Sequence, residues 1–433
     1  MSDEARRERA ASEPSRSILF VAYFYPPCPD AGAHRPAAMV KYLRRAGHRV
    51  MVLTTSAYGE EPGETDVIRT ADLQRVRARL RGHDRVQGMF ESDTYSGRPH
   101  LLSRVLVPEP LVAAWAPFAV RRAVRLHRDR SFDCVITSSP PESAHLVGRA
   151  LARRGVPWVA DVRDAWNFEP LRPRFPTAAQ RRLDERLERS LLGAADAVTV
   201  VSRPVAEDLR DRLGIHSLLV PNGWDPELAP SDDGDPDRRA AELLDPERTS
   251  LLYTGRFGSY GRDPAPLVRA LRDLASQEPQ VAAGIELAIA GPVTDAERRL
   301  LGSDVSPARI SLLGTLPRAE VLRLQRRADA LLLLASRERS QLANLKLFEY
   351  LAAGRPILAL AAGTEAGRIV LETGAGDVIP SSDVAAIRGS LRRLAAGELL
   401  PSDPRATGPY TYPASAERMR EAVELAIAAT ERG

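Results

Sequence analysis

Short runs of β-branched and other apolar residues alternate with amphipathic helical stretches along nearly the whole chain, and this alternation restricts the fold more than any other feature. ILFVAYF (18–24) reads as a buried strand. A helix over roughly 35–46 places Ala38, Met39, Tyr42 and Leu43 on one side and ends at Gly47, before a second strand, VMVLTT (50–55). CVIT (134–137), a helix near 142–154, WVAD (158–161), a long helix near 177–193, AVTVVS (197–202) and LLVPN (218–222) continue the series. Continuous apolar strands separated by helices predict a parallel sheet covered on both faces. The stretch 224–250, WDPELAPSDDGDPDRRAAELLDPERTS, is rich in Asp, Pro and Arg and reads as a linker. The alternation then restarts with LLYTG (251–255), ELAIAG (286–291), ISLLG (310–314), DALLLLA (329–335), PILAL (356–360) and GDVI (376–379), and AERMREAVELAIAATE (416–431) forms one amphipathic helix. The expected fold class is α/β, with two doubly wound domains over 17–223 and 251–408 behind a frayed polar tail, 1–16.

Composition narrows the function classes. Apolar residues make up 44% and charged residues 27%, the balance of a core-forming globular protein. No apolar run reaches membrane-spanning length, and the first sixteen residues lack the apolar region of a signal peptide. Cys28 and Cys134 are too few for a disulfide framework or a four-cysteine metal site, and a reducing cytoplasm fits them. The seven histidines form no HExxH or HxxxH pair, so no metal is expected. The net charge is +4, and Lys41 and Lys346 are the only lysines among 61 basic residues. Asp and Glu interleave with Arg, as in DERLERS and EDLRDRL, which is the pattern of solvated helix faces and not of a nucleic-acid-binding patch. One stretch has two readings. PLVAAWAPFAVRRAVRLHRDR (110–130), with Trp115 and Phe118 ahead of a basic cluster, is a core helix with a solvated Arg face or an interfacial helix resting on an anionic membrane.

In an open α/β sheet the ligand lies beyond the carboxyl ends of the strands. The loop after the first strand, YPPCPDAGAHRP (25–36), has one glycine and lacks GxGxxG, and no GxxxxGK[ST] occurs anywhere, so dinucleotide and P-loop sites are not expected. The strongest local pattern is SRERSQLANLKLFEYLAAGRP (336–356). Asn344 suits an N-cap, LKLFEYLAA continues in helical register, and Gly354 and Pro356 end it. Such an N-terminus favours a phosphate, with Lys346 in the first turn beside it. Glu349, three residues on, either accepts ribose hydroxyls or forms an exposed ion pair with Lys346. The loop in LLYTGRFGSYGRDP (251–264) places Arg256 and Arg262 at another carboxyl strand end, where glycines admit a close ligand and guanidinium groups pair with phosphate oxygens. In the first domain, Asp161 and Asp164 flank Arg163 at a strand end, either facing an acceptor hydroxyl or bracing the loop internally.

The ordered set LLYTGRFGSYGRDP, LAIAGP, LLGTLPRAEVLRLQRRADALLLL and LKLFEYLAAGRPILAL resembles the donor half of family 4 glycosyltransferases. Upstream, YFYPP with Arg35, LRRAGHRVMVLTT, ITSSPPESAHL, VADVRDAW, AADAVTVVS and VPNGWD resemble the acceptor half, in the bacterial branch that builds cell-surface or exported glycans. The resemblance covers roughly 17–430. It implies a GT-B architecture, two Rossmann-like domains facing across a cleft, with 409–433 crossing back to the first domain. It implies a nucleotide-sugar donor and no other cofactor or metal, with Arg256, Lys346 and Gln341 at the chemistry. Arg262, Glu349, Asn344, Leu345 and Gly255 would bind the donor, and Arg35, Asp161, Arg163 and Asp164 would lie on the acceptor side. The acceptor would be a hydroxyl of a glycan, lipid-linked saccharide or small aglycone, reached with retention of anomeric configuration, in the cytoplasm or on the inner membrane face. The sequence departs from the family pattern in three places. Gln341 stands where the first acid of E-x7-E belongs, with Glu338 three residues earlier. Gly261 stands where the basic pair's lysine belongs, with Arg262 one place late. The family's first-domain histidine has no clear counterpart, His145 falling inside a predicted helix. A hydrolysing sugar-nucleotide epimerase and a non-catalytic partner subunit of the same fold are the competing readings.

Overall fold

The computed structural model describes residues 14–72, 115–168, 175, 177–228, 243–258, 262–336, 340–399, 401 and 403–432. The chain divides into two compact units, one running to Pro221 and taking in Tyr412–Gly433, the other Asn222–Thr411.

The first unit holds seven strands: β1 (Ser17–Ala22), β2 (Arg49–Thr55), β3 (Val67–Thr70), β4 (Cys134–Ser139), β5 (Trp158–Val162), β6 (Ala197–Val200) and β7 (Leu218–Leu219). They pair in parallel in the order β3-β2-β1-β4-β5-β6-β7. Phe20 of β1 lies opposite Val52 on one side and Ile136 on the other, so the apolar run is buried from both flanks. The helix His34–Arg45 contributes Ala38, Met39 and Leu43 to the core, as its periodicity predicts. β3 is an addition to the sequence expectation. Its VIRT is short and only partly buried, as an edge strand can be, and too polar to stand out as an apolar run.

The helix Tyr412–Arg432 belongs to this same core. Ala416, Met419, Val423 and Ile427 form its apolar stripe and pack with Ile18, Phe20 and Leu43. Arg16 pairs with Glu424 of this helix at 2.6 Å, and the Ser15 hydroxyl donates to Gly47 O at 2.6 Å. The tail expected through residue 16 is therefore anchored at Ser15 and Arg16, while residues 1–13 lie outside the described residues.

The second unit holds β8 (Thr249–Thr254), β9 (Ile285–Ala290), β10 (Arg309–Gly314), β11 (Ala330–Leu334), β12 (Ile357–Leu360) and β13 (Gly376–Ile379), all parallel, in the order β10-β9-β8-β11-β12-β13. Alternation along the strands splits its core in two. Leu251 and Tyr253 face one layer and Leu252 the other; Leu332 and Leu334 oppose Leu331 and Leu333 in the same way. The sheet order reverses direction between β8 and β11, which makes the carboxyl ends of those two strands the expected ligand position.

The segment expected as a linker differs from that expectation wherever it is described. Trp224 N–H donates to Tyr410 O at 3.1 Å, and Trp224, Leu243 and Leu244 pack on the second unit's core. These scattered apolar side chains outweigh the Asp/Pro-rich composition, and residues 229–242 lie outside the described residues. Among the described residues no helix is long and apolar enough to cross a membrane.

Candidate functional site

β8 delivers Tyr253 and Thr254 to its carboxyl end, and Gly255 turns the chain there with φ +98°, a conformation glycine adopts without strain. Gly255 N–H donates to Ala290 O at 2.7 Å, and Gly291 permits this approach: a β-carbon on Gly291 would lie 2.4 Å from Gly255 O. The next turn is fixed by Glu297, whose Oε1 accepts from Gly258 N–H at 2.8 Å while Oε2 accepts from Thr294 N–H at 2.8 Å. Arg256 is exposed on this turn. Its carbonyl accepts from the Tyr253 hydroxyl at 2.6 Å and from Arg262 Nη1 at 3.2 Å, so the two arginines expected on a diphosphate stand in one loop.

The helix following β11 spans Leu345–Ala353. Asn344 caps it, its side chain accepting from Leu347 N–H at 3.3 Å, and Gly354 ends it with φ +67°. Helix geometry leaves the first-turn N–H groups of Leu345 and Lys346 outside the intrahelical ladder. Lys346 reaches back to β8. Its Nζ lies 3.7 Å from the centroid of the Tyr253 ring, buried and with no hydrogen-bond partner among the described residues. A β-carbon on Gly255 would stand 3.3 Å from that nitrogen. Burial above all, then the Arg262 charge, holds the Lys346 amine well below its ordinary value, with Glu349 opposing. The structure thus brings Gly255, Arg256, Arg262, Asn344, Leu345 and Lys346 together at the β8 and β11 ends.

Glu349 does not pair with Lys346. Arg318, from the helix after β10, takes Glu349 Oε1 at 2.8 Å. Burial raises the Glu349 carboxyl, and Arg318, Gln325 and Lys346 pull it back only in part. Gln325 in turn donates to Thr254 Oγ1 at 3.1 Å, tying the acid to the end of β8. Gln341 is 3% exposed in the turn ahead of the helix, while Glu338 and Gly261 lie outside the described residues. Sequence reasoning passed over Tyr253, Arg318 and Gln325. An aromatic two residues before the Gly255 turn was the available sign for Tyr253, and a basic residue opening the helix after a strand was the sign for Arg318.

In the first unit three of the four expected acceptor-side residues, Arg35, Asp161 and Arg163, are buried. Asp161 is 0% exposed. Its Oδ1 accepts from Arg35 Nη2 and Thr199 Oγ1, both at 2.9 Å, and its Oδ2 from Ser138 Oγ at 2.8 Å and Arg35 Nε at 3.4 Å. Burial pushes this carboxyl up, but Arg35, Ser138 and the Arg163 charge outweigh it and hold it below its ordinary value. Arg35 also donates to Pro221 O at 2.8 Å. Arg163 donates to the carbonyls of Ser139, Pro140 and Gly32. Burial lowers its pKa. Arg35, Asp161 and Arg163 are thus arranged as an internal brace, the second of the two readings of this loop. They satisfy one another and the backbone, and the partner of Asp161 is Arg35. Asp164 is partly exposed after β5. Trp115, expected at a surface in one reading of 110–130, is buried and donates from Nε1 to Thr70 Oγ1 at 2.7 Å; Phe118 is 41% exposed, and 110–114 lie outside the described residues.

The family described as glycosyl transferase 4-like domain matches residues 32–223, and that described as glycosyl transferases group 1 matches residues 248–396. The chain is a GT-B glycosyltransferase. Solved structures share the transferase's fold over nearly their whole lengths. Sucrose-phosphate synthase from Thermosynechococcus elongatus matches with a TM-score of 0.59 at 18% identity, covering 95% of this chain and 97% of that one. The α,α-trehalose-phosphate synthase (UDP-forming) from Burkholderia xenovorans, in complex with glucose-6-phosphate, gives 0.59 at 14%, covering 95% and 100%. A putative UDP-N-acetylglucosamine 2-epimerase from Listeria monocytogenes gives 0.55 at 14%, covering 95% and 96%. No curated protein sequence matches the transferase.

Proposed function

We propose that the chain is a retaining, family 4 transferase that moves a sugar from a nucleoside-diphosphate donor, bound on the second unit, to a hydroxyl of a glycan, lipid-linked saccharide or small aglycone. The observation that carries this is the Lys346 amine, buried without a hydrogen-bond partner among the described residues, beside the Gly255 turn and Arg262. A buried polar nitrogen left unmatched is costly, and a diphosphate anion supplies the missing acceptor.

Arg256, Arg262, Lys346 and the N-terminus of the helix Leu345–Ala353 provide the charge that stabilises the leaving diphosphate, so no metal is assigned to the step. The donor's configuration is retained by attack on the face from which the diphosphate departs, the phosphate oxygen taking the acceptor proton. Glu349 accepts the ribose hydroxyls. A carboxylate accepts about four hydrogen bonds, so the Arg318 pair does not saturate it. Gln341 hydrogen-bonds the donor sugar without adding charge.

Titration of the wild type and Lys346→Ala with UDP and GDP tests the assignment. Loss of one charged phosphate contact weakens binding by about 1.5–3 kcal/mol. Equal affinity of the two proteins would overturn it. Product release from the donor in the absence of any acceptor would instead favour the hydrolysing epimerase.

A further inference from the structure

We propose that Tyr253 is the positioning residue of the diphosphate site: its ring face holds the Lys346 amino group where an arriving diphosphate meets it with its hydrogen-bonding capacity unspent. The proposal rests on the functional reading above and adds to it a residue that touches no substrate.

The ring is fixed from three directions. Phe257, buried in the core, stacks on it with centroids 4.1 Å apart and planes 8° off parallel. Its hydroxyl donates to Arg256 O at 2.6 Å. Arg262 stands beside the hydroxyl, partly offsetting the burial that pushes the phenol up to about 12. Lys346 Nζ lies over this fixed surface at 3.7 Å. An aromatic face attracts an ammonium through its quadrupole and occupies no directional acceptor. The usual competitor for a lysine three residues before a glutamate is that glutamate, and here Arg318 has taken it. Tyr253 therefore orients the amine without satisfying it.

Among the described residues the charged and titratable groups about Lys346 are Arg262, leading into the helix Ala265–Gln277, Glu349 on its own helix, and the Tyr253 hydroxyl on β8. Burial and Arg262 favour the neutral amine, and Glu349 and the ring favour the ammonium. A bound diphosphate adds to the second pair. Binding is therefore accompanied by proton uptake wherever the empty site has released its proton, and affinity falls as pH rises.

The experiment is isothermal titration of UDP, GDP and inorganic pyrophosphate into the wild type, Tyr253→Phe, Tyr253→Leu and Lys346→Ala, in buffers of different ionisation enthalpy. Tyr253→Phe keeps the ring and is expected to bind within about twofold of wild type, whereas Tyr253→Leu, which lacks it, weakens about tenfold and shifts the fall in affinity to lower pH. Tyr253→Leu with wild-type affinity and an unchanged pH profile overturns the proposal. So does a wild type whose affinity for a nucleoside diphosphate does not fall as pH rises toward 10.5, a measurement that needs no variant. If Lys346→Ala binds as well as wild type, the functional reading itself fails and this one with it. If Lys346→Ala loses binding and Tyr253→Leu keeps it, only the role of Tyr253 fails.

Discussion

Gly255 and Lys346 meet so closely that a β-carbon at position 255 would stand 3.3 Å from the lysine nitrogen, and the glycine's φ of +98° excludes most other residues from that position. Gly255→Ala therefore acts twice. It strains the turn, at a cost of about 1–3 kcal/mol, and it pushes Lys346 off its place beside the loop. The urea midpoint is expected to fall, and the thermal stabilisation by a nucleoside diphosphate to shrink by more than the global loss explains. A variant with wild-type midpoint and wild-type ligand response contradicts the close approach.

Lys346 itself is expected to weaken the empty protein. Burial holds its amine well below 10.5, whereas the unfolded chain keeps the proton up to about that value. Between the folded and unfolded values the unfolded state binds more protons, so this group's contribution to stability rises with pH up to about 10.5. Lys346→Met removes the effect. The empty variant should melt higher than wild type near neutral pH, the gap should close as pH rises, and the melting temperature should no longer respond to a diphosphate. A variant less stable than wild type at every pH would show that the lysine's packing outweighs its desolvation.

Arg35 and Asp161 form a buried pair bridging the helix His34–Arg45 and β5, at 2.9 Å. Removing one partner strands the other, a loss of about 3–5 kcal/mol in either Arg35→Leu or Asp161→Leu. The double variant should lose clearly less than the sum of the two, because neither charge is left unmatched. Chemical denaturation of the four proteins checks this. Strict additivity would mean that the hydrogen bonds to Thr199, Ser138 and Pro221, not the ion pair, dominate the brace.

The fold was legible because burial imposed itself on the sequence. Ile18–Ala22 and Ala330–Leu334 are apolar at nearly every position, since both faces of a parallel strand are covered. The site was legible where backbone chemistry dictated residue type, as at Asn344, Gly354 and Gly255. It was not legible where side chains from distant segments choose one another. Nothing local says that Asp161 faces Arg35 across 126 positions when Arg163 is two residues away, or that Arg318 and not Lys346 takes Glu349. Tyr253 escaped notice for a related reason: as a strand aromatic it is indistinguishable from a core residue until Lys346 is seen above it.

His145 shows the same distinction between core and site, and its titration provides a test. Trp158 Nε1 donates to Thr137 Oγ1 at 2.7 Å, and the same hydroxyl shares a hydrogen bond with His145 Nδ1, 2.8 Å away. The other ring nitrogen, Nε2, is buried without a hydrogen-bond partner among the described residues, and the ring stacks on Trp166. Burial lowers its pKa to about 4 from an ordinary 6.5. Above pH 6.5 both folded and unfolded states carry a neutral ring and nothing is lost. As pH falls from 6.5 to about 4 the unfolded chain gains a proton the folded protein refuses, and stability drops by up to about 3 kcal/mol. His145→Leu has no proton to gain. Its urea midpoint should start lower at neutral pH, because Thr137 loses a hydrogen-bond partner, yet decline less steeply between pH 6.5 and pH 4. Parallel acid limbs for the two proteins would mean that His145 titrates normally in the folded chain, and that the space around it is wet.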